Sequence, residues 1–212
     1  MMKILLGIMF LFLISCQNKE PVYKIPDFKP NSSMAEVWEP IRNIVSKKDV
    51  SIVCLTGGGG GLVQQSQFSH KAFCLKGNTW EKVEIKLGIV EVDTVFSNID
   101  ADFISKEIVL KKECRQEESE KFLQELVKLG IFELPKEEEL IKLCDNGMSG
   151  GNSRISDAGN VTFYIIKGNK VRRLFYNAPD FQMQECPDVT TWDKIIRIRN
   201  FFEKNWYAKK HY

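Results

Sequence analysis

Apolar positions along this chain recur at two spacings, and each spacing predicts a kind of element. "DVSIVCL" (49–55) is a dense run of β-branched and apolar residues, the pattern of a buried strand. "QFSHKAFCL" and "TWEKVEIKL" alternate apolar with polar residues on either side of Lys76-Gly77-Asn78, which predicts a β-hairpin. "GIVEVDTVF" and "ISKEIVLKK" predict two more strands. "NVTFYIIKGNKVRRLFYN" predicts a second hairpin, again turning at Lys-Gly-Asn (167–169). Its flanks match the first hairpin poorly, so the shared turn is read as convergent turn chemistry and not as an internal repeat.

Elsewhere the spacing is helical. In "RQEESEKFLQELVKLG" Phe122, Leu123, Leu126, Val127 and Leu129 share a face. Glu117, Glu118 and Glu120 stand in the first turns, where the helix macrodipole favours anions. Gly130 and Ile131 fit the two positions after a Schellman-type end, and Pro135 follows as a stop. A last helix runs from Thr190 to about Trp206, with Trp192, Ile195, Ile196, Phe202 and Trp206 on a wide apolar face. Ser33-Met34-Ala35-Glu36 fits a capping box. Met34, Val37, Trp38, Ile41, Ile44 and Val45 follow at helical spacing, with Pro40 among them. Pro40 leaves two readings open: a kinked helix, or a short turn and then a helix with proline in its first turn. Strands joined by hairpins pair antiparallel. The expected class is therefore α+β, an antiparallel β-sheet with helices packed mainly on one face.

The first residues belong to a different pattern. Lys3 precedes an uncharged run from Ile4 to Ile14, too short to span a hydrocarbon core of roughly 20 residues and of the length of a signal-peptide core. The run ends Leu13-Ile14-Ser15-Cys16, which resembles the bacterial lipobox. The resemblance implies removal of residues 1–15 and acyl chains on Cys16, enough for stable anchoring to a membrane. Gln17 stands where an aspartate would favour the inner membrane, so the outer membrane is expected. Residues 16–33 carry three prolines and read as the lipidated cysteine and a flexible tether, the alternative being an edge strand packed on the domain. Residues 34–212 form the predicted domain.

That leaves about 180 residues, one domain of ordinary size. Hydrophobic residues make up 43% and the formal net charge is +2, which argues against disorder and against a polyanion such as nucleic acid as partner. No cofactor and no metal site is implied; Asp100, Asp102 and Asp145 are read as loop residues. Of six cysteines, five remain after Cys16. The preferred pairs are Cys54 with Cys74 and Cys144 with Cys186, with Cys114 left over; the alternative is that these are small buried residues.

Gly57, Gly58, Gly59, Gly60 and Gly61 are costly to order. A phosphate loop does not fit, because no Lys-Ser/Thr follows. The run is read as a turn or bulge that another backbone approaches closely, or as a rim beside a binding groove. The order of parts resembles small lipoproteins of Bacteroidota. The matching parts are the glycine run, the hairpin at Lys76-Gly77-Asn78, the helix over 116–129 and Gly159-Asn160 before "VTFYII". The likeness covers most of residues 50–206 and carries no catalytic residue with it.

Histidine occurs at His70 and His211. His70 and Ser69 are neighbours in a strand and face opposite ways, so they cannot pair as base and nucleophile. Phe175, Tyr176, Phe181 and Trp192 are read as core. The expected function is a non-catalytic envelope lipoprotein that binds a protein or surface partner. Two alternatives stand beside it: a periplasmic inhibitor or immunity lipoprotein, and a hydrolase using His70.

Overall fold

A computed structural model describes residues 25–57, 69–89, 105–144 and 159–206, with the backbone alone at 69, 87–89 and 105–108. Among the described residues six strands form one antiparallel sheet: β1 (Val50–Gly57), β2 (Ser69–Lys76), β3 (Thr79–Ile89), β4 (Ser105–Glu113), β5 (Asn160–Lys167) and β6 (Lys170–Asn177). Their order across the sheet is β4-β3-β2-β1-β5-β6. The helices are α1 (Glu39–Val45), α2 (Gln116–Lys128), α3 (Glu137–Leu143), α4 (Pro179–Glu185) and α5 (Thr191–Lys204). The class is α+β, as the pattern predicts.

β1 pairs with β2 on one side and β5 on the other, and both of its faces are covered. That explains its unbroken burial from Val50 to Cys54, where the edge strand β6 alternates buried and exposed positions. The two hairpins close on Lys76–Thr79 and Lys167–Lys170, so each loop is the dipeptide Gly-Asn. Gly77 and Gly168 take φ values of 58° and 55°, as a hairpin turn with glycine first requires. Both turns meet Asp49, just before β1. Gly77 N–H donates to Asp49 Oδ2 (2.6 Å) and Gly168 N–H donates to the Asp49 carbonyl (3.1 Å).

The sheet separates two cores. On one face Ile52, Cys54, Phe73, Trp80, Phe163, Ile165 and Tyr176 lie under residues of α2, α3 and α5. Phe73 stacks on Trp80 at 4.4 Å and meets Phe122 of α2 at 4.5 Å. On the other face Val53, Ala72, Val83, Ile85, Tyr164 and Ile166 lie under Val37, Ile41 and Val45, at and around α1. We call these the thick and thin faces.

Several expectations change. The second reading of Pro40 holds: a 3-10 turn (Met34–Glu36) precedes α1, which carries proline in its first turn. Ser33 makes no side-chain cap; its hydroxyl donates instead to Glu36 Oε1 at 3.1 Å. Gly88 and Ile89 do not open a new strand. They extend β3, because register with β4 continues to Ile89–Ser105; residues 90–96 of that expected strand lie outside the described residues. The tether does not reach residue 33. Ile25 is buried in the thick-face core, Phe28 packs against it and Ser32 bridges to Val171 of β6. Tyr176 and Trp192 are core, but Phe175 is 39% exposed, because it points to the thin side of an edge strand.

The connection from α2 to β5 carries its own polar fastening. Gly130 (φ 79°) ends α2, its N–H donating to the Val127 carbonyl at 2.8 Å. The following residues are held to β6. Arg172 donates to the Phe132 and Leu134 carbonyls, and the Tyr176 hydroxyl donates to the Pro135 carbonyl at 2.6 Å.

Candidate functional site

His70 lies on the thin face of β2, 9% exposed. Its ring meets Trp38 edge-on with centroids 4.8 Å apart, and its buried Nδ1 has no hydrogen-bond partner among the described residues. Burial, helped by the charge of Lys71, pushes its pKa down to about 4. The ring is thus neutral at pH 7 and a poor base. Cys74 is four residues along the same face of the strand, about 13 Å away at strand rise. Cys114 is farther off, its N–H donating to the Trp80 carbonyl near the opposite end of β3, whereas His70 pairs with Ile85. The fold does not bring His70 to either thiol.

The expected pair Cys54–Cys74 is corrected. Cys54 belongs to the thick-face core and Cys74 to the thin-face core. In register Cys54 faces Lys71, while Cys74 faces Ser51. Two neighbouring strands can place their residues on opposite sides of a sheet, and sequence distance does not reveal which. Both thiols are free and buried, and burial pushes them up, to about 12 for Cys54 and about 11 for Cys74. They are inert at neutral pH. Cys114 is also a free thiol, half-buried, with its pKa raised by burial. Cys144 and Cys186 stand at disulfide distance, Cα atoms 5.5 Å apart, joining the end of α3 to the end of α4.

A groove of about 380 Å³ opens on the thick face between α2 and the end of α5. Phe122 and Phe201 form an aromatic lining, 4.8 Å between centroids, and Lys121, Glu125 and Lys204 stand around it. Beneath lies Lys82 of β3, 4% exposed. Its ammonium donates to Glu118 Oε1 (2.7 Å) and to the Asn205 carbonyl (2.8 Å), and it sits 5.1 Å from the Phe122 ring centre. That one side chain ties the sheet to the start of α2 and the end of α5. The hydrogen bond from Lys82 holds the Glu118 carboxyl below the usual carboxylate range. Lys82 is therefore engaged as a fastening, and its amine is not presented as a nucleophile.

Sequence reading passed over Lys82. In "TWEKVEIKL" it looks like a solvent position of an alternating strand. The one available signal was parity, since Lys82 shares a face with Trp80. Gly57 faces Asn160 across the β1–β5 ladder, and a Cβ there would lie 2.8 Å from Asn160 Cγ. Cys16, Gly58, Gly59, Gly60, Gly61, Asp100, Asp102, Asp145 and His211 lie outside the described residues. Among the described residues no group of three or more His, Cys, Asp or Glu side chains could hold a metal ion. Among them, too, no helix is long and apolar enough to cross a membrane. Compared with known proteins, the chain matches no family model, and no curated protein is similar enough to count as a relative.

Proposed function

We propose that this chain is a cell-envelope lipoprotein, anchored through acyl chains on Cys16 to the outer membrane, whose folded domain binds a protein or surface partner without catalysing a reaction. The observation that carries the binding reading is the groove between α2 and α5. It combines the half-buried Phe201 ring, backed by the buried Phe122, with a charged rim, over a lysine already engaged with Glu118 and Asn205. Aromatic anchors ringed by charge are what partner surfaces use. The sealed, neutral His70 supports the same reading against a hydrolase.

Two measurements test it. Intact mass from membrane fractions should give a chain that begins at Cys16 and carries acyl mass; Cys16→Ser should move the protein out of those fractions. Binding is measured by calorimetry against crosslinked envelope partners and against products encoded nearby. Replacing Lys121 and Lys204 by glutamate should weaken the complex at least about tenfold with the melting temperature unchanged. Should His70→Ala abolish a hydrolytic activity in a chain that stays folded, the binding reading fails. A partner that proves to be a toxin or hydrolase silenced in a one-to-one complex would narrow the reading to an inhibitor.

A further inference from the structure

The stretch before α1 does more than lead into the sheet. Ile25 is buried in the thick-face core and Phe28 packs against it. Asn31 and Ser32 then lie along the outer edge of β6, where both backbone N–H groups donate to the Val171 carbonyl (3.0 and 3.2 Å). The Asn31 side chain completes the contact. Its Nδ2 donates to the Arg173 carbonyl (2.9 Å), and Arg173 N–H donates to its Oδ1 (2.7 Å). A carboxamide offers one donor side and one acceptor side, so Asn31 meets Arg173 as a neighbouring strand's backbone would. Val37 follows in the thin-face core, with Met34 and Trp38 packed against it. The chain passes from one face of the sheet, round its edge, to the other. Farther along the same edge, Asn177 N–H donates to the Glu137 carboxylate.

Strand edges left bare are templates for pairing with another chain. The groups covered here are the carbonyl of Val171 and both backbone groups of Arg173. Val171 and Arg173 flank Arg172. Two copies of β6, run antiparallel about a two-fold axis at Arg172, would set Val171 of each against Arg173 of the other. The Val171 carbonyl of each would then accept from the Arg173 N–H of the other, and the Arg173 carbonyl from the other's Val171 N–H, the self-complementary arrangement of a twofold dimer. A second copy of the chain is therefore the occupant that fits this edge.

We infer that residues 25–38 form a clasp that opens and closes as one unit, and that closing it keeps β6 from pairing with β6 of a second copy. The inference rests on the described residues alone and holds whether or not Cys16 carries lipid.

The test uses the full mature chain and reads the exchange of single backbone amides by NMR. Asn31 is exposed, so Asn31→Ala should leave the fold intact and speed exchange of the Arg173 amide roughly tenfold. Leu174, which pairs with Phe163 of β5, should keep its rate. Ile25→Ser, on the other face, should speed Arg173 by a similar factor if the clasp opens as a unit. In sedimentation equilibrium, Asn31→Ala and Ile25→Ser should both dimerise more than the parent as concentration rises. An Arg173 amide that Ile25→Ser leaves unchanged would overturn the single unit. An Arg173 amide that Asn31→Ala leaves slow would overturn the side-chain pairing. Equal self-association of parent and variants would overturn the guarding role.

Discussion

On the thick face α2 and α5 are 13 and 14 residues long; on the thin face α1 has seven. Isolated helices below about 12–15 residues are marginal in water, so α1 is held by what it buries, chiefly Ile41 and Val45. The thick face adds a continuous set of ring contacts from Trp80 through Phe73 and Phe122 to Trp206, and a cysteine pair at its rim. The same strands feed both faces by simple alternation. What differs is the cover: one face is fastened by a continuous run of rings, the Lys82–Glu118 pair and sulfur, the other by aliphatic packing, the Lys48–Glu81 pair (2.6 Å) and the Trp38–His70 ring contact. The comparison teaches that an evenly patterned sheet can carry its stability unevenly. Local opening should begin at α1.

The comparison can be broken most sharply in the thick core. Trp192 is fully buried, and Trp192→Ala should lower the unfolding free energy by about 3–5 kcal/mol in a urea titration. Ile41→Ala should instead free the amides of α1 well below global unfolding, seen as fast exchange confined to residues 39–45. If both changes act globally and equally, the two faces are one cooperative unit.

Next in size is the cysteine pair. Cys144 and Cys186 are 42 residues apart, and losing the cross-link by reduction or by Cys186→Ser should cost about 3–4 kcal/mol on a chain-entropy argument. The measurement is the denaturation midpoint with and without reductant. An unchanged midpoint would remove sulfur from the account of the thick face.

The thin face should reveal itself through pH. His70 titrates near 6.5 when unfolded and near 4 in the fold. Between these values the unfolded chain binds the extra proton, so stability is full above about pH 6.5 and falls as pH drops towards 4. About 2 kcal/mol should be lost between pH 7 and pH 5, and His70→Phe should flatten that slope in melts across the range. The smallest effect belongs to the turns. Gly77→Ala forces a side chain into positive φ and should cost about 1 kcal/mol, with Gly168→Ala similar, since both turns lean on Asp49.

Much of the fold was legible in one dimension, for reasons that are local. The Gly-Asn loops need positive φ at glycine, and the 122–129 spacing repeats within a single helix. Both signals lie within a few residues of the structure they specify. α3 and α4 went unread because seven residues of mixed polarity carry little periodic signal. The stretch from Ile25 to Ser32 looked like a linker because its partners, Val171 and Arg173, are some 140 residues away, and the hydrogen bond that marks the contact spans 142 positions. Lys82 was passed over for a similar reason. A strand's alternation says which residues share a side, but not which side is covered at that point.

Local patterning was enough to settle the kinds of element, the turn chemistry and the antiparallel α+β class, since each depends on backbone preferences and on apolar spacing along neighbouring residues. It also marked the residues around Cys16 as a resemblance to an anchoring signal. Only assembly in three dimensions decided that Cys54 and Cys74 lie back to back, that Lys82 is enclosed and that the amino-terminal segment closes the edge of β6. Those outcomes depend on register and on which helix lands over which row of side chains, quantities that no stretch of chain contains by itself.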